Sequence, residues 1–212
     1  PKILFYPLLD VKNEYNVLGG IVSLHSLINS QLYSVMSQHL PSIFDVIWYG
    51  LFHSKISVRE KSAELLSSCL RLQFSVESNF AKDTKSSSCI YGVYRNRIFD
   101  ECIGAINSNS ASGIHGALLA LKSILKLSEK DKKFVIFHNN YLNLLEILMK
   151  LIHSKDILLR SASIEFIPLL SERDIFVETN LKDWIQFLIE SIKKEKDRNA
   201  SLKALSSTID SI

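Results

Sequence analysis

Apolar residues recur at steps of three and four along nearly the whole chain. Val58, Ser62, Leu65, Leu66, Cys69 and Leu72 form one series, and Ile114, Leu118, Leu121 and Leu125 a second. Leu142, Leu145, Met149 and Ile152 follow, then Leu159, Ser163, Phe166, Ile167 and Leu170. Trp184, Ile185, Leu188 and Ile192, and finally Leu202, Leu205, Ile209 and Ile212, complete the set. Such spacing lays each series along one face of a helix. A single stripe cannot bury itself, so each helix calls for a partner face.

The polar punctuation predicts where these helices begin and end. Ser57 with Glu60 fits a capping box, each side chain taking a backbone N–H of the first turn. Ser112 before Gly113 and Asp156 before Ile157 are predicted N-caps. Pro41 is predicted to open a helix, where its missing N–H costs nothing. Pro168 falls inside a helical pattern and predicts a kink or an early end. Ser75–Cys89 is polar, with Ser86, Ser87 and Ser88 in series, and predicts a long loop within one hairpin. Its serines could accept phosphate, but a solvated loop is the preferred reading. Asn107–Ser112 is a shorter break.

Two turns repeat. His53-Ser54-Lys55 precedes a helix carrying Val58-Arg59, and a hundred residues on His153-Ser154-Lys155 precedes one carrying Leu159-Arg160. Ala63 and Ala162 fall near corresponding positions. Helix pairs are expected near 16–40, 41–72, 89–127, 140–171 and 181–212, with the loop at 75–89. Intervals of roughly 40–50 residues match HEAT or armadillo arrays. The expected fold is therefore all-α: one α-solenoid segment over 1–212, built of HEAT/armadillo-like antiparallel helix hairpins stacked as an α-α superhelix. A compact helical bundle explains the stripes but not the recurring apolar-Arg turn.

Composition agrees. The 212 residues include only 7 Gly and 4 Pro, while 47% are hydrophobic. Sandwiches and barrels need turns every 8–12 residues, so few turn residues argue against them. The apolar content excludes disorder. Mean hydropathy is +0.12, a value expected of inner helices flanked by neighbours on several sides. No run reaches the ~18 uncharged apolar residues of a membrane span, because Asp45, His53, Glu146 and Lys150 interrupt the best stretches. The net charge of +3 is too small to imply nucleic acid. Cys69, Cys89 and Cys102 have no metal-ligand spacing and read as free thiols of a reducing compartment. A first residue Pro1 and a last residue Ile212 inside an apolar pattern predict a fragment of a longer chain.

Candidate chemistry is sparse. Gly19-Gly20 and Gly113-x-x-Gly116 lack the Lys-Ser or Lys-Thr of a phosphate loop. The six histidines are His25, His39, His53, His115, His138 and His153; none sits four residues from another, so no zinc pair on a helix forms. His115, between Ile114 and Gly116, is the most interesting, and a packed histidine is preferred there over a catalytic one. The pairs Asp100-Glu101 and Glu172/Asp174 are read as solvated surface. So is the mixed run Lys193-Lys194-Glu195-Lys196-Asp197-Arg198. Lys82, Lys85, Arg95 and Arg97 beside Tyr91 and Tyr94 form a loose basic group with little claim on RNA. No catalytic, cofactor-binding or metal-binding residue is assigned, and partner-binding residues are unknown.

Three strings are similar to one family. Ile43-Phe44-Asp45-Val46-Ile47-Trp48 followed by Val58-Arg59-Glu60, Ala63 and Cys69-Leu70 resembles a HEAT hairpin near the N-terminus of the target of rapamycin (TOR) kinases. Tyr94-Arg95, Gly104 and Ile114-His115-Gly116-Ala117-Leu118-Leu119 resemble the next part of that region. Lys193 to Arg198 with Ala204-Leu205 resembles a further part. The resemblance covers about residues 41–212. It departs from the family at the Ser75–Cys89 loop and in lacking a glycine after Ala204-Leu205.

The resemblance implies an N-terminal HEAT superhelix of a serine/threonine-protein kinase related to phosphatidylinositol kinases, which controls growth in response to nutrients. The kinase domain, with its ATP and Mg, belongs far downstream, and this segment is expected to hold no cofactor. Implied partners are raptor-like or rictor-like subunits and a second copy of the parent complex, with no nucleic acid. The implied location is cytoplasmic, extending to endomembrane surfaces. Arg59 and Arg160 are expected as structural residues at hairpin turns, and Ile114, His115, Gly116 and Leu118 as a packed helix start. Rival readings are another HEAT or armadillo scaffold, such as a nuclear-transport receptor or phosphatase scaffold, and a small helical enzyme using His115.

Overall fold

A computed structural model describes residues 13–30, 33–80, 89–108, 110–130, 138–171, 178–193 and 198–209. The described residues form ten helices and no strand. They are α1 (Glu14–Asn29), α2 (Tyr33–Leu51), α3 (Ile56–Phe80), α4 (Cys89–Asn107), α5 (Ala111–Lys130), α6 (His138–Leu151), α7 (Ile157–Ile164), α8 (Ile167–Ser171), α9 (Glu178–Ile192) and α10 (Arg198–Ile209). The chain divides into two compact units, Pro1–Leu127 and Ser128–Ile212. The fold is of the all-α, helical-repeat class, the α-solenoid class expected from the recurring turns.

In the first unit α2 and α3 form a hairpin, and α1 packs on α3 and α2. The α1 stripe Val17, Ile21, Leu24 and Ile28 is buried. Ile43, Phe44 and Ile47 of α2 and Val58, Leu65, Leu66 and Cys69 of α3, the two helices on which α1 packs, are buried as well. His25 Nε2 and Ser68 Oγ lie 2.9 Å apart and join α1 to α3 by a hydrogen bond. Asn13 caps α1, its side chain accepting from Tyr15 N–H. From α5, Ile114, Leu118, Leu121 and Leu125 are buried, and Ser123 Oγ donates to the Ala63 carbonyl of α3 at 3.3 Å. Each fully buried Ile or Leu contributes about 1.5–3 kcal/mol.

In the second unit α6 leads through a short turn into α7, and α10 packs on α9, α8 and α7. Trp184, Phe166, Ile167, Leu170 and Leu188 fill the interior. Asp156 caps α7 as predicted, accepting from Leu158 and Leu159 N–H. Pro168 ends α7 as predicted. It cannot donate to the Ile164 carbonyl, so Glu165-Phe166 breaks the helix before α8 resumes.

Several boundaries differ from the sequence reading. Pro41 lies inside α2, which starts at Tyr33, so the span 16–40 holds α1 and only the first turns of α2. An interior proline costs about 3 kcal/mol, and burial of Leu40, Ile43, Phe44 and Ile47 around it outweighs that. The helix α3 opens at Ile56, where Lys55 O accepts from Arg59 N–H, so Ser57 is already helical and the Ser57–Glu60 capping box is displaced. Ser110, not Ser112, caps α5: its carbonyl takes Ile114 N–H and its hydroxyl takes Gly113 N–H. The polar stretch expected as a loop over Ser75–Cys89 begins as the last turns of α3, since no Gly or Pro stops the helix before Phe80. Residues 81–88 lie outside the described residues.

Two stripes also turn. In α6 the buried face is Leu144, Leu145, Leu148 with Ile152 following, and Met149 is 37% exposed. In α10 the predicted face is only partly kept: Leu202 is 47% exposed and Leu205 half-buried, while Ser201, Ala204 and Thr208 are buried, and Ile212 lies outside the described residues. Small side chains there let α10 lie close on α8 and α9, and Thr208 Oγ1 donates back to the Ala204 carbonyl at 2.8 Å.

Candidate functional site

The two repeated turns share their hydrogen-bonding pattern on either side of the turn. At the end of α2, Phe52 N–H reaches Trp48 O and His53 N–H reaches Gly50 O; at the end of α6, Ile152 N–H reaches Leu148 O and His153 N–H reaches Lys150 O. These pairs are offset by one hundred residues. At the start of the next helix, Arg59 N–H reaches Lys55 O and Arg160 N–H reaches Asp156 O. Here the offset is one greater, so the second turn contains one extra residue. Downstream, Val58, Ser62, Leu65, Leu66 and Cys69 correspond to Leu159, Ser163, Phe166, Ile167 and Leu170, and every one of these is buried. Ala63 therefore corresponds to Ile164 and not to Ala162. Ser62 and Ser163 each turn their hydroxyl back onto the carbonyl four residues earlier, at 2.7 and 2.8 Å.

The arginines span these turns. Arg59 is 2% exposed, and its Nη1 donates to His53 O at 2.7 Å and Ser54 O at 2.8 Å. Arg160 Nη1 donates to Ser154 O at 2.6 Å, the same six-residue reach as Arg59 to His53. Both guanidiniums meet carbonyls that follow the preceding helix. Such C-terminal carbonyls have no intrahelical partner and carry the negative end of the helix dipole.

In the first unit the arginine also reaches α5. Arg59 Nε donates to His115 Nδ1 at 3.1 Å, and His115 is 4% exposed. An arginine offers only donors, so His115 presents its Nδ1 lone pair and carries its proton on Nε2. The next residue, Gly116, lies directly on the end of α2: a Cβ there would overlap the carbonyl oxygen of Leu51. Ile114 and Leu118 are buried on either side. The α2 end, the turn, the α3 start and the α5 start thus meet at one node. Gly50 forms a second close approach, its α-carbon set against the Ser62 hydroxyl. Gly116 and Arg59 were among the residues singled out from sequence. The Leu51 carbonyl and Gly50 were not; an unexplained glycine on a helical apolar face was the available signal.

Other candidates fall elsewhere. Arg97 is held by Glu101 at 2.8 Å and Asp45 at 3.6 Å, which commits part of the basic group to carboxylates. Lys82, Lys85, Glu172 and Asp174 lie outside the described residues. His153 packs edge-on against Phe187 of α9, ring centroids 5.4 Å apart. Cys69 and Cys102 are buried free thiols, and burial pushes both well above the ordinary thiol range. Among the described residues no group of three or more His, Cys, Asp and Glu could hold a metal ion. Nor is any described helix long and apolar enough to cross a membrane.

No family model matches the chain. The chain is 24% identical over 195 residues to the serine/threonine-protein kinase TOR of Arabidopsis thaliana, covering 91% of this chain and 7% of that protein. It is 24% identical over 169 residues to the serine/threonine-protein kinase tor1 of Schizosaccharomyces pombe, covering 79% of this chain and 7% of that one. This chain therefore spans a small part of the relatives it matches. Among solved structures, an engineered protein aligns over 99% of the chain with a TM-score of 0.48 and 12% identity. A designed armadillo repeat protein aligns over 97% with a TM-score of 0.42 and 9% identity. The all-α helical-repeat organisation and the similarity to two TOR kinases over most of the chain fit a fragment of a TOR HEAT-repeat region.

Proposed function

We propose that these 212 residues form a non-catalytic protein–protein interaction scaffold within the N-terminal HEAT region of a TOR-type kinase. The observation that carries this reading is the similarity to two TOR kinases over 91% and 79% of the chain. The arrangement of the node supports it: Arg59, His115 and Gly116 are spent on joining helices. Residues placed so have a structural role at the turns, Arg160 in the second unit included. In this reading the parent phosphorylates serine and threonine with ATP and Mg through a domain elsewhere in its chain, acts in nutrient-dependent growth control, and works in the cytoplasm and at endomembranes. Its helical repeats hold a raptor-like or rictor-like subunit and contribute to dimerisation of the complex.

The test is deletion of residues 1–212 from the full-length parent, tagged at its native locus. The expected result is a deletion variant that retains kinase activity and loses a co-purifying accessory subunit. Unchanged subunit composition after deletion contradicts the scaffold role. A parent that instead captures basic nuclear-import cargo, or a phosphatase catalytic subunit, favours the rival scaffolds.

A further inference from the structure

We propose that the Arg59–His115 contact is a pH-sensitive latch that seats the start of α5 on the α2–α3 hairpin. The inference is independent of the parent's identity and rests on geometry. Arg59 Nε lies 3.1 Å from His115 Nδ1, both side chains are almost wholly buried, and the guanidinium is charged at every accessible pH. Only a neutral imidazole has a lone pair for that donor. A proton on Nδ1 replaces an acceptor with a second donor and places two cations in contact within the core.

Neighbouring elements bring these charged groups to the node. From α3, Arg59 faces the ring, while Glu60, Lys61 and Glu64 are exposed and Lys61 is paired with Glu64. From the turn, His53 gives its carbonyl to Arg59 and accepts Lys55 N–H at its own Nδ1, and Lys55 pairs with Glu14 of α1. From α2, Asp45 is 70% exposed and turned to Arg97 of α4. On α5 itself, Lys122 lies two turns on. Nor can α5 yield by sliding inward, because Gly116 already rests on the Leu51 carbonyl. Protonation is accommodated by lifting the α5 start away from the hairpin.

The sign follows from proton binding. Opening exposes the imidazole to water, where a histidine ordinarily takes up a proton near about pH 6.5, whereas contact with the Arg59 guanidinium opposes that proton in the latched form. The latch is therefore complete above about pH 6.5 and lost as pH falls below it. Between pH 7.5 and 5.5 the opening equilibrium shifts by about tenfold on this account.

Hydrogen exchange of the 111–125 amides in the 212-residue chain, corrected for intrinsic rates, reads this opening directly. The comparison is with His115→Asn, whose Oδ1 can accept from Arg59 but does not titrate. The expected result is a fall in protection between pH 7.5 and 5.5 that is about tenfold larger in the wild type than in the variant. Equal pH dependence in the two overturns the latch. Should the variant fail to fold, 15N shifts of the wild-type ring decide. A bare Nδ1 at pH 7.5 that gains its proton only as the α5 amides open supports the latch. An Nδ1–H at pH 7.5, or protonation with α5 protection intact, overturns it.

Discussion

The α-carbon of Gly116 rests on the carbonyl oxygen of Leu51, so the start of α5 touches the backbone at the end of α2 with no side chain between them. Glycine is ordinarily a poor helix residue, by about 1 kcal/mol against alanine. Its presence here is explained by the close approach alone. A pair of substitutions separates the two effects. Gly116→Ala should destabilise the first unit by about 2 kcal/mol or more, since backbone cannot yield as a flexible side chain can. Gly19→Ala, where nothing lies within 4 Å of the new methyl, should stabilise by about 0.5–1 kcal/mol. Urea unfolding followed by Trp48 fluorescence in a Trp184→Phe background checks both.

Arg59 should be worth more than its repeat counterpart. It is buried, spans two turn carbonyls and reaches His115, whereas Arg160 is half-buried. Arg59→Ala leaves buried acceptors without their donor and should cost about 2–4 kcal/mol. Arg160→Ala should cost about 1 kcal/mol. Trp48 in a Trp184→Phe background reports the first unit under urea, and Trp184 in a Trp48→Phe background the second.

Much of this was legible in sequence, for reasons that differ from one feature to another. The stripe from Val58 to Leu72 and the cap at Asp156 were readable because both follow from local spacing. Arg59 and Arg160 were readable because the turn recurs. The one-residue shift between the copies is also written in the sequence, six residues from His53 to Arg59 against seven from His153 to Arg160, but the pairing of Ala63 with Ala162 passed over it, and the choice of carbonyl by each N–H makes it plain. Pro41 misled because tertiary burial can override a local penalty. The α10 face misled because hydropathy favours Leu202 and Leu205 inside, whereas close helix packing favours Ser201, Ala204 and Thr208. The Leu51 carbonyl at the node was invisible, since every residue has one.

The Asp156 cap has a direct test. Asp156→Ala removes the acceptor for Leu158 and Leu159 N–H and should cost about 1 kcal/mol in the second unit. Asp156→Asn keeps an acceptor oxygen and should cost about 0.5 kcal/mol or less. Trp184 fluorescence in a Trp48→Phe background reports the difference.

Cys69 and Cys102 predict a signed pH effect. Burial raises both thiols, so the folded chain keeps two protons that the unfolded chain releases near pH 8.5. Their contribution is constant below that value and is lost as pH rises, by about 1.4 kcal/mol per unit for each thiol. In a Cys89→Ser background, a thiol reagent should label neither cysteine in the native state and both on unfolding. The midpoint of labelling should coincide with the loss of helical circular dichroism.

The most direct test of the central claim is the mass and peptide map of the native polypeptide that an antibody against residues 1–212 isolates. The account predicts one continuous chain more than ten times the length of this segment, with peptides of a serine/threonine kinase domain toward its C-terminal end. A polypeptide that ends close after Ile212, with no kinase peptides, contradicts it.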